Sequence, residues 1–168
     1  MEEDLKFKKF GVSCFSANEL SCFPMWAYYT NNYKGYCIEY ELKDKKYVHE
    51  VNYTDERIGI ASILCNLEDI YSKESEQKLY TIMQNLFIKN ITWEHEKEYR
   101  IVYPIDEPCG KNVDICELGL EVKKIVVGIN CSEGNQKKLN KISNELGCGN
   151  AYRACLSEKE YKLIEKRM

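Results

Sequence analysis

The chain reads as an α+β protein of one domain, with a mixed or mainly antiparallel sheet flanked by helices. Three observations predict this. Strand-like runs fill the first fifty residues and return after residue 98. Two helix-like stretches separate those groups. The resulting order of strands, two helices, strands, helix and strand lacks the alternation that a doubly wound parallel sheet requires. At 168 residues the chain suits one domain and can bury a core without staples. No repeat, low-complexity tract or linker divides it, so the expected domain covers residues 1–168.

Residues 10–16, Phe-Gly-Val-Ser-Cys-Phe-Ser, predict a first strand. Pro24 at a first helical position predicts a short helix through Tyr29. Residues 35–42 alternate well enough for a second strand, residues 43–46 form a charged turn, and Tyr47 to Tyr53 a third strand. From Asp55 the period lengthens: Ile60, Ile63, Leu64, Leu67, Ile70 and Tyr71 recur at helical steps. Ser72 or Ser75 can cap a second helix with Leu79, Ile82, Met83, Leu86 and Phe87 on its apolar face. Glu98 to Pro104 predicts a strand, residues 106–112 a loop, and Ile115 to Leu120 a short edge strand. Lys124 to Gly128 is the most apolar strand candidate. Ser132 with Asn135 opens a last helix that Gly147 and Gly149 end. Ala151 to Leu156 predicts a final strand, with Ser157 capping a helical stub.

Composition narrows the function. The net charge is −3, and Lys and Arg are interspersed with Asp and Glu. Nucleic-acid binding is therefore not indicated. No apolar run approaches the ~18 residues of a membrane span, and the start carries no apolar leader, so a cytoplasmic protein without a membrane partner is expected. Nine cysteines without a C-x-x-C pair argue against a zinc site and read as buried free thiols. His49 and His95 are the only histidines, which excludes three-histidine metal sites. No phosphate loop, His-Glu-x-x-His or Gly-x-Ser-x-Gly is present.

The segment with most chemistry is Trp93-Glu-His-Glu-Lys-Glu-Tyr-Arg100. As a strand it would place Glu96, Glu98 and Arg100 on one face and Tyr99, Ile101 and Tyr103 on the other. Crowded carboxylates can serve as acid or base, or stabilise a developing cation. The plainer reading pairs Glu96 with Arg100 and Glu98 with a lysine on a solvated face. His95 reads as a half-exposed partner of a glutamate. Trp26 and Tyr29, three apart on a helix, would share a face able to stack on a flat ring, or would pack as aromatic core. A carboxylate-bound metal in a nucleic-acid-processing enzyme would draw on Glu39, Glu96 and Glu98 and needs their strands side by side. No metal is the first expectation.

Several motifs occur together: Ser13-Cys-Phe-Ser16, Met25-Trp-Ala-Tyr-Tyr29, Lys34-Gly35, Val51-x-Tyr53, Lys89-x-x-x-Trp93-Glu-x-Glu-x-Glu-Tyr-Arg100 and Val126-Val-Gly128. In this order they resemble a widespread bacterial family known only as a domain of unknown function, often encoded near phage-defence genes. The resemblance spans about residues 10–156. The family's N-terminal stretch has no counterpart in residues 1–10, which implies a shortened member or half of a split gene. A weaker resemblance is to ADP-ribosyltransferases, through Glu96-Lys-Glu98. It implies NAD as cofactor, Glu98 on the ribose and Glu96 orienting the acceptor, both as catalytic residues. It further implies Ser16 supporting the ribose-side strand, Trp26 or Tyr29 stacking on nicotinamide, and Arg100 beside the cofactor. The functional expectation is accordingly an ADP-ribosyltransferase-like, defence- or toxin-associated domain with NAD or a nucleotide as ligand. The alternative is a non-catalytic binding or interaction module, a degenerate copy, with a protein partner.

Overall fold

A computed structural model describes residues 9–56, 86–105 and 113–168. The strands run β1 (Lys9–Ser16), β2 (Tyr36–Leu42), β3 (Val48–Glu50), β4 (Asn52–Thr54), β5 (Ile88–Asn90), β6 (Glu98–Ile105), β7 (Leu120–Val127), β8 (Tyr152–Leu156) and β9 (Leu163–Arg167). The helices are α1 (Phe23–Tyr29) and α2 (Glu133–Glu145), with a 3₁₀ turn over Ile91–Glu96. The architecture is α+β and mostly antiparallel, as expected, but the described strands form three sheets. They belong to two compact units, both discontinuous in sequence. Residues 9–17, 47–56 and 86–105 lie in the first, and residues 18–46 and 113–168 in the second. The helices expected between Ile60 and Phe87 fall, but for their last residues, outside the described residues, as does the loop expected at 106–112.

In the first unit β6 is the central strand of the order β1-β6-β3. It pairs antiparallel with β1, placing Cys14 opposite Arg100 and Ser16 opposite Glu98. Ile101 and Val102 are adjacent yet both buried, so both faces of β6 are covered there. The alternation expected along Tyr99, Ile101 and Tyr103 therefore gives way to burial on both sides. The strand expected from Tyr47 to Tyr53 is two strands. Val51, itself buried, breaks it and donates its N–H to the Glu98 carbonyl at 3.0 Å. Beyond this break β4 leaves β6 and pairs parallel with β5.

In the second unit the order is β2-β7-β8-β9. β7 and β8 are parallel and α2 connects them. Successive residues of a strand point to opposite faces. Ile125 and Val127 accordingly pack with Leu139 of α2, and Val126 with Trp26 of α1. Each such side chain contributes roughly 1.5–3 kcal/mol on burial. Ser132 caps α2 by accepting the Asn135 N–H, as expected.

Two expected elements are absent from this unit. Residues 115–119 form tight turns, with Gly119 left-handed at φ 71°, so no strand precedes Leu120. The stub after Ser157 is a hairpin turn into β9. The Ser157 hydroxyl accepts the N–H groups of Lys159 and Glu160, and Leu163 returns to the core opposite Leu156. A serine cap without an apolar helical period behind it does not make a helix.

A left-handed turn joins α1 to β2. Asn31, Asn32 and Tyr33 have φ of 50°, 53° and 63°. The buried Thr30 holds the turn: its hydroxyl donates to the Trp26 carbonyl at 2.5 Å and accepts the Tyr33 N–H at 3.2 Å. The turn rests on Gly128, where any Cβ would lie 2.2 Å from the Tyr33 carbonyl oxygen.

Candidate functional site

The first unit carries a buried polar cluster. Asn90 caps the 3₁₀ turn by accepting the N–H and hydroxyl of Thr92 at 3.0 and 2.6 Å. The turn closes at Lys97, a left-handed residue with φ 45°. Glu96 therefore ends a turn and Glu98 begins a strand. The expectation that both lie on one strand face with Arg100 is corrected here, because the left-handed residue between them breaks the two-residue repeat. Both carboxylates nonetheless meet at one cation. Lys89, on β5, reaches Glu96 Oε2 at 2.5 Å and Glu98 Oε2 at 2.9 Å.

Arg100 completes the cluster from the strand. Its Nε donates to Glu98 Oε1 at 2.7 Å and its Nη2 to Glu98 Oε2 at 3.2 Å. A planar guanidinium suits this two-toothed grip on a carboxylate. Its Nη1 donates to the Leu86 carbonyl. The Tyr53 hydroxyl accepts the Glu98 N–H at 2.7 Å, and the Ser16 hydroxyl donates to the Glu96 carbonyl at 2.7 Å. The side chains of Glu96 and Glu98 are 3% and 6% exposed.

The plainer pairing read from the sequence thus has the partners exchanged in part. Glu96 pairs with Lys89, and Glu98 with both Arg100 and Lys89. The face is buried, not solvated, because β1 and β4 supply partners that spacing along one segment does not reveal.

The electrostatics follow from this geometry. Burial works to raise the Glu98 carboxyl. Hydrogen bonds from Arg100, Cys14 and Lys89 outweigh it and hold the group at about 2. Burial works against the Lys89 charge, but its hydrogen bonds to Glu96 and Glu98 raise it above its ordinary range. The hydrogen bond to Glu98 likewise raises Arg100. Partial shielding of the thiol, with Glu98 beside it, pushes Cys14 up, away from thiolate reactivity, although the residue as a whole is exposed. Two carboxylates and two cations are formally neutral together. An ionised Glu98 is an acceptor and a charge stabiliser, and does not supply a proton near neutral pH.

Of the residues singled out in the sequence, Ser16, Glu96, Glu98 and Arg100 come together in this unit. Trp26 and Tyr29 belong to the second unit and do not share a surface. Trp26 is buried, donates its indole N–H to the Leu20 carbonyl at 2.9 Å and stacks on Tyr33 at 6.5 Å. Tyr29, in the last turn of α1, is 62% exposed. Trp26 packs in a core with Val126, Ala154 and Leu163, as the aromatic-core reading expects. Glu39 also lies in the second unit, where it pairs with Lys124 at 3.0 Å. Among the described residues no three His, Cys, Asp or Glu side chains are placed to hold a metal ion.

Lys89, Cys14 and Tyr53 are the residues whose roles sequence reading missed. All three lie inside motifs quoted above, and that co-occurrence was the available signal. Lys89 sits on a three-residue strand, too short to show a period. His95 is exposed; its Nδ1 lies 3.1 Å from the Thr92 carbonyl, and its ring is 6.0 Å from Trp93. The cysteines do not follow the buried reading as a group. Cys131 is buried, Cys14 and Cys116 are exposed, and Cys22, Cys37, Cys148 and Cys155 are intermediate. None of the described helices is long and apolar enough to cross a membrane.

Fold and site together define an α+β protein with a buried, charge-balanced ion network. Within that class, residues 25–101 match the family described as "Protein of unknown function (DUF2971)". The matched span contains Lys89, Glu96, Glu98, Arg100 and Tyr53, and leaves out Cys14 and Ser16. The resemblance to a family of unknown function thus stands over residues 25–101, a shorter span than the expected 10–156. No curated protein and no solved structure matches the chain.

Proposed function

We propose that the chain is a non-catalytic binding or interaction module with a protein partner, in which Lys89, Glu96, Glu98 and Arg100 lock the first unit together. The observation that carries this reading is the saturation of Glu98. Both of its oxygens accept hydrogen bonds from Arg100 or Lys89, and its side chain is 6% exposed. A carboxylate that grips a ribose or stabilises an oxocarbenium must touch the substrate. One committed on both oxygens serves the fold. The association with phage defence accompanies the family resemblance and is proposed on that ground alone.

A second reading, an NAD-binding domain of the ADP-ribosyltransferase kind, is favoured by one contact. The Ser16 hydroxyl bonds the Glu96 carbonyl, which brings the serine strand to the Glu-x-Glu segment beside an ionised Glu98. Thermal melts with and without saturating NAD separate the two readings. Ligand at a hundredfold over its dissociation constant adds ~2.7 kcal/mol, a rise of roughly 5–10 °C for a chain of this size. The lock reading expects no rise in wild type. A rise in wild type that Glu98→Gln abolishes, with that variant still folded, overturns it in favour of NAD.

A further inference from the structure

We draw no further inference here: the strongest candidate, the exposed aromatic shelf of Trp93 and His95 on the 3₁₀ turn beside the ion network, carries nothing because the structure does not show what covers it.

Discussion

The two units are held by different physics. The second is organised by apolar burial: Ile125, Val126 and Val127 are 0–1% exposed and divide between two cores, one under each helix. The first has its own apolar residues, Val51, Ile101 and Val102, but its short strands meet through charge. Lys89 from β5, Glu96 from the 3₁₀ turn and Glu98 with Arg100 from β6 form one network, with Ser16 of β1 and Tyr53 of β4 on its backbone. Apolar cores tolerate volume-conserving exchange, whereas a buried ion network fails when one member is removed.

That contrast is sharpest in a pair of truncations. Trp26→Ala, in the apolar unit, is expected to cost ~3–5 kcal/mol through lost transfer energy and a cavity. Glu98→Ala is expected to cost about as much, ~3–5 kcal/mol, for another reason: it leaves Lys89 and Arg100 short of a carboxylate. Chemical denaturation of both variants measures the costs. The two are told apart by Glu98→Met with Arg100→Met: replacing both ends of this buried pair with apolar groups, while Lys89 keeps Glu96, can recover stability, whereas no charge change rescues Trp26→Ala. If Glu98→Ala unfolds like wild type, the network does not hold the unit. We further propose that the units unfold as one domain, since neither is a continuous segment. Two separate transitions in these melts would count against that.

Acid provides the next largest effect. The Glu98 carboxyl is held at about 2 against an ordinary value of 4.5. A depressed folded value means the unfolded chain takes up the proton first. The stabilisation is therefore complete above pH ~4.5, and falls as pH drops from there towards 2, with roughly 3 kcal/mol lost in all. Glu98→Gln has no such proton to take up. Its stability between pH 4.5 and 2 is expected to fall less steeply than that of wild type. Parallel acid profiles would mean that Glu98 is not the group being titrated.

How much of this was legible in the sequence follows the same division. In the second unit β2, β7, α2 and β8 were each read from local pattern, because a period of two or of 3.6 and a serine cap are carried by neighbouring residues. The β9 strand was missed, because Leu163 is set in charged residues and its place comes from pairing with β8. In the first unit Glu96 and Glu98 were read as a pair, while their cation was not. Lys89 lies seven and nine residues away across a turn whose left-handed Lys97 has no sequence signal. Trp26 was visible as an aromatic, but its burial depends on which helix face meets the sheet.

Gly128 tests the apolar unit from another side. Its lack of a Cβ admits the carbonyl of Tyr33, in the turn with three left-handed residues. Gly128→Ala forces β7 and that turn apart. The expected cost is ~1–3 kcal/mol, the range for overpacking. Gly134→Ala is the control, since nothing lies within 4 Å of the added methyl there. Equal stability of the two variants would show that the turn yields freely.

The smallest expected effect returns to the charged unit. Trp93 sits in the motif-rich segment and, as a core tryptophan, its removal would cost ~3–5 kcal/mol. The structure leaves it 41% exposed, with the Lys89 ammonium 5.3 Å from its ring centre. An exposed cation–π contact contributes ~0.5–1 kcal/mol. Trp93→Ala is therefore expected to lower the melting temperature by only ~1–4 °C. Its effect should also shrink in a Lys89→Met background, because the ammonium that faces the ring is then gone. A loss several times larger, unchanged by Lys89→Met, would place Trp93 among the packing residues and move the boundary between charge and burial within this unit.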